Sequence, residues 1–239
     1  MEQNIAESNL LLEAWVWFEK NRKPVIIGVV AVAAAGLVAG TMAWSKKEKQ
    51  VAAGEALSQA LLAQMLPGGS AGAADRLLKV AGSHSGTPGG AQALLLGAGA
   101  LFADDKYAEA QVQFEKFNRE YVGHNLTPQA KLGLAASLAA QGKTDDAAKA
   151  YKDLAERYPT ANTASQARFE LAGIYASQGK QEDALVLYEQ VAQSEANGYL
   201  GSESGVRAEE IRRKLPPVQV PATMPPVATD SSNSVPAGK

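Results

Sequence analysis

The chain has 239 residues, 46% hydrophobic and 20% charged, with Lys+Arg 23 against Asp+Glu 25 and a net charge of -2. That balance excludes a protein that grips a polyphosphate backbone by charge, so nucleic acid is not an expected partner. With no cysteine, disulfides, thiolate metal sites and thiol nucleophiles are excluded too, while the redox compartment stays open.

Residues 1–23 read as an N-terminal segment with an interfacial amphipathic helix. The stretch "SNLLLEAWVWFEK" places Leu11, Trp15 and Phe18 on one helical face with Trp17 alongside, ahead of the basic Lys20, Arg22 and Lys23. Such a face suits the membrane–water boundary, the alternative being a helix that binds a partner protein. Val25 to Trp44 follow, twenty residues without a charge. As a helix they span about 30 Å, the thickness of bilayer hydrocarbon. The run is longer than a secretory h-region, and its leader carries Glu2, Glu7, Glu13 and Glu19, so residues 24–45 read as a retained transmembrane helix rather than a cleaved signal. A soluble core helix apolar on every side needs neighbours on every face, which a small helical domain seldom supplies.

Pro24 suits the first turn of this crossing and separates it from the preceding helix. Trp15, Trp17, Phe18 and Trp44 are the expected interfacial anchors. Gly36 and Gly40 form a small-xxx-small pair, the expected packing point for another membrane helix, although a span this rich in Gly and Ala produces such pairs by composition alone. Orientation is not legible in the flanks: Lys20, Arg22 and Lys23 on one side face Lys46, Lys47 and Lys49 on the other, a tie under the positive-inside rule.

Beyond the crossing the chain repeats. Lys106, Lys143 and Lys180 are each 37 residues apart, and so are Gln92, Gln129 and Gln166, as well as Ala93, Ala130 and Ala167. Each unit reads as two helices joined by a short turn. An acid opens the second helix as Glu109, Asp146 and Asp183, where a carboxylate favours the positive end of the helix dipole. The residues expected to pack the repeats together are the small Ala110, Ala147 and Ala184, each followed four positions later by the ring of Phe114, Tyr151 or Tyr188.

Residues 91–201 thus hold three repeats. Residues 50–90 read as a degenerate unit with mobile glycine-rich turns, and 202–215 as a charged capping helix. Residues 216–239, rich in Pro and Ser, read as a disordered tail. The expected fold class is all-α: one transmembrane helix, then an α-solenoid.

A search for chemistry yields no catalytic, cofactor-binding or metal site. His84 lies in a glycine-rich turn between Ser83 and Ser85, and His124 in a loop forty residues on, without an elbow, an oxyanion motif or a third orienting group. The pairs Asp104–Asp105 and Asp145–Asp146 fall at the turns and helix starts of repeats, where solvated acids are expected without catalysis. The chain is therefore not expected to be an enzyme, an enzyme or enzyme accessory using the His84 turn being the alternative of a different class.

Gly142-Lys143 and Gly179-Lys180, then Asp146-Ala147 and Asp183-Ala184, the ring four residues on, and Tyr158-Pro159 together resemble the tetratricopeptide repeat of bacterial envelope proteins. The period exceeds the usual length of about thirty-four, and the bulky Trp of the first helix is missing. The order of a short N-terminal region, one crossing and a repeat body, with the entry "FEKNRKP", is similar to the bacterial ancillary Sec-translocon subunit family. That resemblance implies an inner-membrane protein with a cytoplasmic N-terminus and a periplasmic repeat domain. Its implied partners are the Sec translocon and periplasmic chaperones; a scaffold subunit of another envelope or bioenergetic membrane complex is the alternative. It identifies no groove residue.

Overall fold

Pro24 has no amide hydrogen, and its ring crowds the carbonyl of Lys20 four residues back, so a helix running through it must yield nearby. The structure, a computed structural model that describes residues 2–216, yields at Asn21 (φ -109°, ψ 16°) inside α1 (Glu2–Met65). The Asn21 amide donates to the Trp17 carbonyl at 2.9 Å across the break. Beyond Asn21 the helix continues through Met65 without interruption, about 66 Å at 1.5 Å per residue. The apolar run and the first helix of the degenerate unit are therefore one rod. The reason is local: Lys46, Lys47, Glu48, Lys49 and Gln50 all favour helix, and no proline stands between Pro24 and Pro67. The Leu11 side chain and residues 217–239, which hold most of the expected tail, lie outside the described set.

Among the described residues every regular element is helical: α2 (Ala73–Ser83), α3 (Pro88–Ala103), α4 (Tyr107–Glu120), α5 (Thr127–Ala140), α6 (Thr144–Arg157), α7 (Asn162–Ser177), α8 (Gln181–Ser194) and α9 (Tyr199–Lys214). The glycine-rich loop before α2 is pinned by Arg76, whose guanidinium donates to the Gly69 and Ala71 carbonyls. Thr87 caps α3, its hydroxyl accepting from the Gly90 amide at 3.0 Å, with Pro88 opening the helix.

One turn joins the two helices of every repeat. Its middle residue is left-handed: Asp105 at φ 58°, Gly142 at 74° and Gly179 at 77°. The next amide, of Lys106, Lys143 or Lys180, then donates back to Leu101, Leu138 or Tyr175 at 2.9–3.0 Å. This is the six-to-one bond of a glycine-terminated helix, and it satisfies a carbonyl the helix end would otherwise leave bare. The same lysines accept, through their carbonyls, the first bonds of α4, α6 and α8, from Ala110, Ala147 and Ala184.

Two compact units are distinguished, Met1–Leu171 and Ala172–Lys239. In the first, Leu57 of α1, Leu77 of α2, Leu94 and Leu101 of α3, Phe114 and Phe117 of α4 and Ala130 of α5 form one buried cluster. Phe117 is fully buried, so truncation to Ala costs about 3–5 kcal/mol. The packing has two layers: α3 touches α1 and α5 directly, and each of these helices also packs on its hairpin partner. Among the described residues no corresponding contact links α2 with α4 or α4 with α6. The layer of α1, α3 and α5 therefore follows the shorter arc and is the concave one.

In the second unit α8 packs on α9, burying Ala184, Tyr188 and Val191 against Ala208 and Ile211. Arg212 of α9 pairs with Glu209 and with Glu189 of α8. The helix stops because Pro216 drives Leu215 into extended geometry (φ -78°, ψ 144°).

A Cβ built on Gly142 meets no atom within 4 Å, so Gly142→Ala isolates the cost of left-handed backbone. The expected loss is about 1 kcal/mol, read as a fall in the urea midpoint with unchanged slope, and Gly142→Asn should recover part of it.

Candidate protein-binding face

The expected packing residues lie in the interior. Ala110, Ala147 and Ala184 have no exposed surface, and Phe114, Tyr151 and Tyr188 are 3–4% exposed. Each ring is directed at the residue nineteen positions on, in the first helix of the next pair. Phe114 lies on Gly133, where an added Cβ would come within 2.3 Å of the ring. Tyr151 has Glu170 at the equivalent place, and in the second unit Tyr188 acts on Arg207. The 37-residue spacing carries this relation, but it is visible only when the two helices are laid together.

The expected anchors are all uncovered: Trp15, Trp17, Phe18 and Trp44 are 41–70% exposed, and a Cβ built on Gly36 or Gly40 would meet no atom of another segment within 4 Å. The His84 and His124 loops meet through Tyr121, whose hydroxyl accepts from the Gly86 amide at 3.2 Å. His124 is held structurally. Its ring packs edge-on to Phe117 and Tyr121, and its Nδ1 accepts from the Leu126 amide. Among the described residues no three His, Asp or Glu side chains gather as a metal-binding group.

The remaining surface feature is the open side of the concave layer. On α3 it comprises Gln92, Leu96, Gly99 and Ala103; on α5, Gln129 with the half-buried Leu132 and Ala136. Near the start of α7, Gln166 is exposed and Phe169 and Glu170 are half-buried. Residues of α3 carry no charge, and α5 carries only Lys131. Lys131 is engaged, its Nζ lying 2.8 Å from Asp153 of α6. Partial burial pushes the Asp153 carboxyl up, but hydrogen bonds from Lys131 and Arg157 and their charges outweigh it and hold it below the usual carboxylate range.

Glu170 is different. Burial pushes its carboxyl above the ordinary value, and Tyr151 is raised in turn, first by its own burial and then by the Glu170 charge. A half-buried carboxylate beside a buried phenol costs stability when ionised.

A family model described as a tetratricopeptide repeat-like domain matches residues 16–207. No curated protein matches the chain. Among solved structures it is similar to nearly identical TPR-like repeats from Podosopora anserina, at 16% identity and a TM-score of 0.52, covering 70% of this chain and 84% of that one. A tetratricopeptide repeat protein from Parabacteroides merdae gives 13% identity and 0.52 over 72% of this chain and 61% of that one. MamA protein gives 16% and 0.50, covering 70% and 88%. At these identities the likeness is one of fold.

Because the Glu170 pKa is raised on folding, its ionisation lowers stability as pH climbs from the unfolded value of about 4.3 through the folded one. Glu170→Gln should therefore raise the melting temperature at pH 7, and the gain should vanish below about pH 4. A gain that persists unchanged in acid would show that the carboxylate charge is not its source.

Proposed function

We propose that this chain, which belongs to the tetratricopeptide repeat-like domain family, is a single-pass membrane-anchored scaffold that binds other proteins beside the bilayer, as an ancillary subunit of the protein-conducting channel and its periplasmic chaperones. A non-catalytic interaction scaffold is what this repeat fold typically provides. One observation carries the anchor: the apolar stretch of α1 has a window of mean hydropathy 2.4 in which no residue is buried. Ile27, Val32, Leu37 and Met42, on different sides of the helix, are 68–74% exposed. An all-round apolar surface left uncovered by the rest of the chain suits lipid as its solvent.

The continuity of α1 supports a role at the membrane surface. From Trp44, at the end of the apolar run, to Ala53, the first buried residue of the repeat body, the helix rises only about 14 Å. No flexible tether intervenes, so the binding face is held close to the headgroups and suits partners embedded in, or emerging from, the membrane. The direction of insertion and the choice of the Sec channel rest on the resemblance of architecture and of the "FEKNRKP" entry, because the flanking charges are balanced.

Protease added outside spheroplasts should digest the body from Val51 onward and leave the first twenty or so residues intact; a protected repeat body would place it in the cytosol and overturn both the orientation and the channel assignment. Purification in mild detergent should recover channel components, whereas recovery of a different stable complex would assign the scaffold to that complex.

A further inference from the structure

We infer that α1 pairs in parallel with α1 of a second copy of this chain, along a stripe that runs from Gly40 in the apolar run to Leu62 in the repeat body. The inference rests on the reading of α1 as a membrane anchor and adds what covers the side that the repeats leave bare. Ala53, Leu57 and Ala60 turn toward α2 and α3 and are 0–7% exposed. The opposite side is open and apolar: Trp44, Val51, Leu62 and Met65 are 54–84% exposed. Lipid explains such exposure as far as Trp44. Beyond it the helix carries Lys46, Lys47, Glu48, Lys49 and Gln50 and stands in water, where the outer side of a stack's end helix is ordinarily polar.

The stripe is straight. Gly40, Val51 and Leu62 follow one another at intervals of eleven residues, as do Ala33, Trp44 and Glu55, and eleven residues make three turns to within about 20°. A recurrence of eleven keeps two helices in contact with a slight right-handed winding. From Gly40 to Leu62 that contact is about 33 Å long. Its occupant must be a helix that crosses the membrane in the same direction and stays apolar on one side beyond it. A second copy supplies such a helix at matching heights.

Charge selects that copy. Trp44, Lys47, Glu48, Val51, Ala52 and Glu55 line a shallow groove on the open side. Lys47 and Glu48 have no ionic partner among the described residues, and they stand about 50° to either side of the stripe's midline. A two-fold axis parallel to the helices brings Lys47 of each copy against Glu48 of the other, at nearly the same height. Glu55 stands nearer the midline, so its two copies repel and moderate the pairing. The helices packed over Ala53, Leu57 and Ala60 point away from the axis on both copies and do not collide.

The test uses the full chain in mild detergent micelles, labelled at its C-terminus in two populations and read by energy transfer over a dilution series. The native chain should self-associate. Lys47→Glu and Glu48→Lys should each weaken the association about tenfold, and the K47E/E48K variant should regain most of it. The two single variants, mixed, should pair with each other in preference to themselves, and Glu55→Gln should tighten the native pairing. All three positions are exposed in a single chain, so unchanged circular dichroism should show the fold intact. In membranes, Val51→Cys and Leu62→Cys should each cross-link to a second copy, whereas Lys49→Cys, on another side of the helix, should not. A native chain monomeric at every concentration would overturn the pairing, as would single charge variants that associate like the native chain. Equal cross-linking at Lys49→Cys, or capture of a different membrane protein by Val51→Cys in place of a second copy, would also overturn it. A chain that resists alkaline carbonate extraction yet stays monomeric loses the pairing and keeps the anchor; one that carbonate releases loses both.

Discussion

A helix pair of this chain has too little apolar surface to bury by itself, and everything above the level of the pair depends on the next pair covering it. Ala110, with no exposed surface, lets neighbouring helices approach, and Phe114 then reaches across to the bare Cα of Gly133. The ring's burial is gained between units rather than within one, so order in each repeat requires order in its neighbour. At the C-terminal end α9 covers α8 and leaves its charged residues outward, with Arg212 tied to Glu189 and Glu209. Such a helix suits an end of the stack, because its outer face needs no further cover.

This dependence also frees the surface. Once Ala110, Ala147 and the rings have fixed the helices, positions on the open side of α3 and α5 are released from packing and can vary or be kept for recognition. Gln92 and Gln129 stand there with small or apolar neighbours, while the charged residues of the region are drawn to the second helices and to pairs such as Lys131–Asp153. The scarcity of charge on α3 and α5 beside the charged α4 and α6 follows from which helix of each pair carries the acids.

The repeat was legible in the sequence because the same residues recur where the same backbone geometry recurs. Lysine follows the left-handed residue in each of the three turns inside repeats, and alanine recurs at the same buried positions of each repeat. What was not legible is relational. Asp105 occupies a left-handed turn that the other units give to glycine, and its carboxylate accepts a bond from the Tyr107 hydroxyl; nothing in its neighbours along the chain announces this. The placement of Glu170 beside Tyr151 depends on two helices meeting. The recurrence of Gln92, Gln129 and Gln166 was plain, but their exposure was not, since a periodic residue is as easily a core residue as a surface one. The boundary between crossing and repeat body was drawn where composition changes. The backbone has no reason to change there, because basic and acidic residues prolong a helix as readily as apolar ones.

The unbroken course of α1 gives the chain an angular memory. Each residue of an α-helix turns the chain by about 100°, so the number of residues between the apolar run and Ala53 fixes the direction in which the concave face looks relative to the sides of that run. Adding one residue between Lys46 and Gln50 would swing the face by more than a quarter turn without disturbing a single contact inside it. Adding seven would return it to within about 20° of where it began, raised by about two turns. Length in this short polar stretch is therefore equivalent to direction, and the apolar run serves as the reference from which that direction is set.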